Sequence, residues 1–210
     1  MDFVEHLKEK LQGNLPGLEA QMRMAPPTRG KSMKVPDDAR LGGVLILLIQ
    51  GDKSWNTILI RRTEDGNTHS GQISFPGGKK DISDPDIIAT ALRECEEEIG
   101  VNRHEIEILG TLSPLYIPPS NFLVTPTLGY IQNVQAFKPS EREVQEIIKV
   151  PLDLLFDPAI KGEKLVRRSD IKDEEMTTPV YILNDDIIIW GATAMMISEL
   201  EHLSSTINRV

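Results

Sequence analysis

The sequence predicts a mixed α/β fold, in which buried strands combine with amphipathic helices. The chain has 210 residues, of which 40% are hydrophobic, and this is enough for one large domain with a full core. Apolar or β-rich runs predict strands at residues 43–50, 57–61, 105–111, 122–131 and 187–190. Apolar residues at helical spacing predict longer helices at residues 85–99 and 192–203.

The first 36 residues are predicted to precede the main domain. Phe3, Val4, Leu7 and Leu11 alternate with charges, which indicates a short amphipathic helix rather than a signal peptide. Residues 25–36 are rich in proline and cations and predict a loop. We therefore divide the chain into residues 1–36, an N-terminal helix with a proline-rich linker, and residues 37–210, the main domain.

Charge and composition limit the classes of partner and the cellular location that we expect for this protein. A net charge of −9 without a basic stripe argues against nucleic acid as the main partner. The longest apolar run, residues 42–50, is too short to cross a bilayer, so no membrane association is expected. Cys95 is the only cysteine and is expected to be a small core residue. Because no targeting segment is visible, we expect a cytoplasmic protein.

Four further segments have less regular patterns. The proline-broken stretch at residues 113–121 is expected to lack regular structure. Residues 140–149 are predicted to be a short helix or an extended segment, and residues 151–156 a helical turn. The charged residues 161–178 predict an exposed insertion.

The helix at residues 85–99 has clear start and stop signals. Asp84 is the predicted N-cap, Pro85 suits the first helical position, and Asp86 meets the positive end of the helix dipole. Gly100 is the predicted stop. These signals bound a helix that contains a dense run of glutamates.

Three of those glutamates, Glu94, Glu97 and Glu98, are predicted to share the helix face opposite the core. The core face is expected to contain Ile88, Leu92, Cys95 and Ile99. Like charges at this spacing destabilise a helix by roughly 0.2–0.5 kcal/mol per pair. Either the face is simply solvated, or the carboxylates bind a hard divalent cation such as Mg²⁺ or Mn²⁺, which takes oxygen ligands and removes the repulsion.

The residues around this helix favour the metal site. Gly77 and Gly78 permit a close backbone approach, and Arg93 directly precedes the first of the three glutamates. Residues 93–101, RECEEEIGV, resemble the second half of the Nudix box, R-E-U-x-E-E-x-G-U with U aliphatic, except that Cys95 stands at an aliphatic position. In the first half, Asp84 stands where the box has glutamate, and eight residues rather than seven separate it from Arg93.

The stretch before the box resembles the coenzyme A pyrophosphatase subfamily of Nudix hydrolases. Residues 59–81 read LIRRTEDGNTHSGQISFPGGKKD, and the subfamily signature is an apolar pair, R-[ST], a histidine and G-Q-[IV]-x-F-P-G-G. Asn67 departs from it, because a basic residue is usual two positions before His69. Arg61, Lys79 and Lys80 lie near enough in sequence to substitute. The resemblance spans roughly residues 41–203.

The resemblance implies an α/β/α sandwich with a mixed central β-sheet and the box helix on one face. It implies metal-dependent hydrolysis of CoA or acyl-CoA to 4′-phosphopantetheine and adenosine 3′,5′-bisphosphate. ADP-ribose or another nucleoside diphosphate derivative is the alternative substrate, and a catalytically inactive binding module is the third possibility. A homodimer is common among Nudix proteins.

The resemblance also assigns roles to residues. The metal ligands would be Glu94, Glu97 and Glu98, with Mg²⁺ or Mn²⁺ as cofactor. Arg93 would orient the carboxylates, and Glu143 is a candidate fourth ligand or general base. The candidate substrate-binding residues are Arg62, His69, Gln72, Gly77 and Gly78. Tyr116 and Phe122 are either core residues or stacking partners for adenine.

Overall fold

The structure is a computed structural model that describes residues 3–30, 34–64, 70–134, 136–167 and 175–205. Its described part contains one eight-stranded and one three-stranded sheet. The larger sheet consists of β1 (Arg40–Gln50), β2 (Trp55–Arg62), β3 (Ile73–Ser74), β4 (Gly77–Lys79), β5 (Glu107–Thr111), β6 (Leu115–Ile117), β7 (Phe122–Ile131) and β8 (Val144–Pro151). The smaller sheet consists of β9 (Lys161–Arg167), β10 (Glu175–Ile182) and β11 (Ile188–Trp190). The helices are α1 (Phe3–Leu11), α2 (Gly17–Gln21), α3 (Ile87–Ile99), α4 (Leu152–Leu155) and α5 (Gly191–Ser204).

The larger sheet is mixed, and β1 is its central strand. Strand β1 pairs parallel with β7 and antiparallel with β2 and β4. Strand β8 joins the edge of β2, while β5 and β6 pair antiparallel with β7. A strand in this position is covered on both faces, which explains why β1 is an almost uninterrupted apolar run.

Alternate residues of β1 belong to two different cores. Leu45 and Leu47 pack on the side of α3, with Cys95. Ile46 and Leu48 pack on the opposite side, in the cluster that includes Leu200 of α5. Because successive strand residues point to opposite faces, this one strand separates two layers of helix. The predicted α/β/α sandwich with a mixed central sheet is confirmed.

The N-terminal helices pack on the same side of the sheet as α5. Val4 and Leu7 of α1 are buried in that core. The Gln21 side chain donates a hydrogen bond to Oε2 of the buried Glu199 at 2.8 Å, and the Gly17 N–H donates to Oε1 at 3.1 Å. A buried carboxylate thus attaches α2 to α5, while the division of the chain at residue 36 stays a prediction.

Most of the predicted elements are confirmed, and two segments differ from the prediction. Residues 113–121 do contain regular structure, namely β6 and a short 3-10 turn, because β6 pairs with the start of β7. Of the two alternatives for residues 140–149, the extended one is confirmed from Val144 onward, because β8 pairs with β2. The charged segment 161–178 is not only an exposed insertion, since β9 and β10 pair with each other and Thr178 is buried.

The N-cap of α3 is Asp86 rather than Asp84. The Asp86 side chain accepts a hydrogen bond from the Ala89 N–H at 2.8 Å, and the helix begins at Ile87. The stop is Gly100 as predicted, with a left-handed φ of 73°. The prediction that Glu98 shares an open face with the other glutamates is also wrong, because Glu98 is buried against the sheet.

Candidate active site

Glu98 is near the end of α3, and its side chain is almost completely buried against β4. Only 1% of the residue is exposed. Its Oε2 accepts a hydrogen bond from the Gly77 N–H at 2.7 Å, and its Oε1 forms an ion pair with Nη1 of Arg62 at 3.2 Å. Burial raises the pKa of Glu98 to about 7, because these two donors do not replace the lost water, and the charges of Glu94 and Glu143 add to the effect.

Glu94 is half-buried against the backbone of Gly78. A Cβ added to Gly78 would lie 2.4 Å from Oε2 of Glu94, so any other residue at this position would displace the carboxylate. Burial raises the pKa of Glu94 even though Arg93 forms an ion pair with it at 2.8 Å. The paired glycines therefore bring backbone and carboxylate together, as the sequence predicted.

Arg93 is the centre of an ion-pair network that includes three acidic residues. Its Nε and Nη2 donate to the two oxygens of Asp84, each at 3.0 Å. Its Nη1 lies 2.8 Å from Glu94 and 3.0 Å from Glu97. This is the arrangement expected of an arginine that orients carboxylates. Asp84, displaced from its predicted role as the N-cap, is the residue that holds Arg93 in place.

The carboxylates of Glu94, Glu97 and Glu98 are candidate ligands for a divalent cation. Their oxygens are the hard donors that Mg²⁺ and Mn²⁺ prefer, and a cation would relieve the mutual repulsion that contributes to the raised pKa values of Glu94 and Glu98. The donor set therefore fits such an ion. In the side-chain arrangement of the described residues, no three acidic, histidine or cysteine side chains converge on one point, because Glu94 and Glu97 are paired with Arg93.

Two candidates lie outside the box. Glu143 is exposed, and its carbonyl accepts a hydrogen bond from the Thr63 N–H at 3.1 Å. Its charge contributes to the raised pKa of both Glu94 and Glu98. His69 and the neighbouring Asn67 lie outside the described residues.

A cavity of about 750 Å³ opens beside these groups. Four of the predicted substrate-binding residues line it: Arg62, Gln72, Gly77 and Gly78. Much of the remaining wall is apolar and includes Ile117, Phe122, Val124, Met176 and Met195. This volume falls within the range of small-molecule sites, roughly 300–1,000 Å³.

Sequence reasoning did not identify several of the lining residues, among them Arg29, Arg40 and Trp190. Arg29 belongs to a segment that was noted only as rich in proline and cations. Arg40 is the first residue of β1, just before the predicted strand. The available signals were the cations of the proline-rich segment, for Arg29, and a cation just before a predicted strand, for Arg40.

The family model for the NUDIX domain matches residues 39–168. The chain belongs to the Nudix hydrolase superfamily. This match confirms the resemblance inferred from the box, and it identifies the protein as a pyrophosphohydrolase of a family that generally depends on divalent metal ions.

Relatives of this Nudix hydrolase include bacterial and animal proteins. An uncharacterized Nudix hydrolase, NudL, of Pectobacterium atrosepticum is 38% identical over 68% of this chain and 72% of its own length. The peroxisomal coenzyme A diphosphatase NUDT7 of Mus musculus is 31% identical over 78% of this chain and 68% of its own length. The relatives thus include a CoA diphosphatase.

Solved structures support the same fold for this Nudix hydrolase. The RenU Nudix hydrolase of M. smegmatis superimposes with a TM-score of 0.54 over 89% of this chain and 96% of its own, at 14% identity. In the described part of the chain, no helix combines the length and apolar character needed to span a bilayer.

Proposed function

We propose that this Nudix hydrolase cleaves the diphosphate bond of CoA or acyl-CoA, giving 4′-phosphopantetheine and adenosine 3′,5′-bisphosphate. The observation that carries the proposal is the position of Glu98. It is buried between Gly77 and Arg62, both of which line a cavity of about 750 Å³. The 31% identity to a coenzyme A diphosphatase supports the choice of substrate.

Glu94, Glu97 and Glu98 are the proposed metal ligands, with Glu143 as the fourth ligand or general base. A bound Mg²⁺ or Mn²⁺ supplies a Lewis acid that neutralises phosphate charge and activates water. The alternative of a solvated acidic face is disfavoured for Glu98, since it is 1% exposed.

The remaining residues bind and orient. Arg93 fixes the positions of Glu94 and Glu97 through its Nη1. Gly77 and Gly78 allow a diphosphate to approach the backbone closely, because neither carries a Cβ. Arg62, Gln72 and His69 are the proposed side-chain contacts to the substrate, and the Arg62 guanidinium can serve both Glu98 and a phosphate oxygen.

The test is a comparison of substrates in one assay. CoA, dephospho-CoA and ADP-ribose are incubated with the enzyme at equal concentrations, with Mg²⁺ or Mn²⁺, and the products are identified by chromatography. Release of adenosine 3′,5′-bisphosphate from CoA at the highest kcat/KM supports the proposal. A higher kcat/KM for ADP-ribose would replace it with the second candidate, and no turnover of any substrate would favour an inactive binding module.

The expected setting of the enzyme follows from the sequence. We propose a cytoplasmic protein whose partner is a small nucleotide, without nucleic acid or membrane partners, and a homodimer is the candidate assembly. Light scattering coupled to size exclusion, which separates a monomer from a dimer by mass, checks the assembly.

A further inference from the structure

Two arginines that line the cavity lack acidic partners among the described residues. Arg29 and Arg40 both line it. Within the described ranges, neither guanidinium has a carboxylate oxygen within the 4.0 Å that defines an ion pair. This differs from Arg62 and Arg93, which are paired with the box acids. The two uncompensated charges are therefore available to an anionic group.

Both arginines are anchored on residues 116–120, which comprise the end of β6 and the 3-10 turn after it and are called here the β6–β7 loop. Nη1 of Arg29 donates to the Tyr116 carbonyl at 2.8 Å, and Nη2 of Arg40 donates to the Ser120 carbonyl. The Arg40 guanidinium also lies over the Phe122 ring, 4.2 Å from its centroid. Because each side chain is held by a backbone carbonyl, little rotamer entropy remains to be lost when an anion binds.

Two donors on this side of the cavity have no acceptor. Nε of Arg29 and Oγ of Ser120 are buried and have no hydrogen-bond partner within the part of the chain that the structure describes. Burial without an acidic partner lowers the pKa of Arg29. Unsatisfied buried donors are rare in native proteins and cost free energy, so these two atoms indicate a ligand that accepts hydrogen bonds.

The loop also lies near the proposed reaction centre. A Cβ placed on Gly42 would be 3.0 Å from the Gly78 carbonyl and 3.2 Å from Cδ1 of Phe122. The Phe122 ring therefore lies beside Gly42 and close to Gly78, and the same ring lies under Arg40. An aromatic ring thus bridges the backbone at the proposed diphosphate site and the unpaired cation.

We propose that Arg29, Arg40 and Ser120 bind a phosphate monoester of the substrate, separate from the diphosphate that is cleaved. This inference rests on the proposed function. A guanidinium provides donors only, a hydroxyl can donate one hydrogen bond, and the forked guanidinium geometry matches phosphate oxygens. The site would therefore select CoA, which carries a 3′-phosphate, over dephospho-CoA and ADP-ribose, which do not.

One of the three residues comes from outside the family domain. Arg29 precedes residues 39–168, which the family model matches, while Arg40 and Ser120 lie within them. The N-terminal segment thereby supplies a determinant of substrate choice. Its attachment to α5 through Glu199 holds this segment against the core of the catalytic domain.

The test measures kcat/KM for CoA and for dephospho-CoA in Arg29→Gln, Arg40→Gln and Ser120→Ala. A charge-assisted contact to phosphate corresponds to about 10- to 100-fold in affinity. We expect the kcat/KM for CoA divided by the kcat/KM for dephospho-CoA to fall by that factor in each arginine variant, because KM for CoA rises while kcat is unchanged. In Ser120→Ala this ratio should fall by a smaller factor. Arg29→Lys, which keeps the charge, should recover part of the ratio.

The matched control is Arg23→Gln, which removes the same charge from the same N-terminal segment. Arg23 is exposed and does not line the cavity, so its ratio should equal that of the wild type. If Arg29→Gln does not fold, as judged by its melting temperature, Arg40→Gln and Ser120→Ala carry the test. An equal loss for both substrates in the arginine variants would overturn the inference and leave the proposed function intact.

A second measurement separates this inference from the proposed function. Calorimetric titration with adenosine 3′,5′-bisphosphate and with adenosine 5′-monophosphate compares the two nucleotides without any turnover. Tighter binding of the bisphosphate, lost in Arg29→Gln and Arg40→Gln, supports the phosphate site even if CoA is not hydrolysed. Equal binding of both nucleotides to the wild type would overturn it.

Discussion

Asp84, just before α3, and Glu98, near the end of α3, are both buried carboxylates, yet their pKa values shift in opposite directions. The side chains are 6% and 2% exposed. Asp84 accepts hydrogen bonds from two nitrogens of Arg93, from the Asp81 N–H and from the Thr90 hydroxyl, and its pKa lies far below the usual range. Glu98 has two donors, and its pKa rises to about 7. Hydrogen bonds from Arg93 therefore outweigh burial at Asp84, whereas burial outweighs the two donors at Glu98.

The contrast supports the proposal that Asp84 has a structural role and Glu98 a functional one. Asp84 is saturated with donors from the protein and has little capacity left for a ligand. Glu98 is incompletely neutralised, and its neighbours Glu94 and Glu143 raise its pKa further. A bound cation would therefore stabilise the charged form of Glu98, whereas the charge of Asp84 is already neutralised by its donors.

Glu98→Gln should reduce kcat by about 100- to 1,000-fold, the usual loss when one electrostatic contact to a phosphoryl transition state is removed. The matched control is Glu96→Gln on the same helix, because Glu96 is paired with Arg103 and lies away from the cavity. Steady-state kinetics on CoA with Mg²⁺ and Mn²⁺ measure both variants. A fully active Glu98→Gln would show that the functional acid is another residue.

The stability of the metal-free protein should fall as the pH rises from about 4.5 to about 7, the window between the ordinary and the folded pKa of Glu98. In this window the folded state keeps a proton that the unfolded chain releases, so a higher pH favours unfolding. Relative to Glu98→Gln, the wild type should lose up to about 3 kcal/mol of unfolding free energy. Urea unfolding in EDTA measures it, and parallel curves for the two proteins would refute the raised pKa.

Asp84→Asn should lower the unfolding free energy by about 2 kcal/mol, because it removes a buried ionic partner of Arg93. Glu98→Gln, by contrast, should leave the melting temperature of the metal-free protein at pH 8 unchanged or higher. Thermal unfolding followed by circular dichroism compares the two. If both substitutions destabilise the protein equally, the two acids do not differ as their donors imply.

Glu96→Gln should change the unfolding free energy by less than about 0.5 kcal/mol. Its ion pair with Arg103, at 2.5 Å, is partly exposed, and such pairs contribute little in water. The same urea titration measures this variant. A loss of unfolding free energy as large as that of Asp84→Asn would mean that removing any acidic charge in or near α3 destabilises the protein, regardless of how many hydrogen-bond donors the acid has.

Much of the fold was predictable because its signals are local. The apolar runs of β1 and β7 and the left-handed Gly100 after α3 follow from hydrophobic pattern and backbone freedom. The segment before α3 illustrates the limit. Asp84 and Asp86 are equally good caps by type, and Asp86 is the cap because Arg93 takes both oxygens of Asp84.

The candidate site was predictable in its composition but not in its electrostatics. The box residues Arg93, Glu94, Glu97 and Glu98 were identified together, since they lie on one short helix. The burial of Glu98 was missed, because it depends on β4 and on Arg62, which is 36 residues away in sequence. Arg29 and Arg40 were missed for the same reason, because the loop that anchors them is 80 or more residues distant.

Residue types and their spacing along the chain were enough to define the α/β class, the end of α3 and the acidic cluster, since each depends on neighbours within a few residues. Packing between distant segments assigned different roles to chemically similar side chains. It surrounded Asp84 with donors, left Glu98 short of them, and placed no acidic partner beside Arg29 or Arg40 among the residues that the structure describes. The physical reason is that desolvation and hydrogen bonding depend on what lies across the fold, which no local pattern encodes.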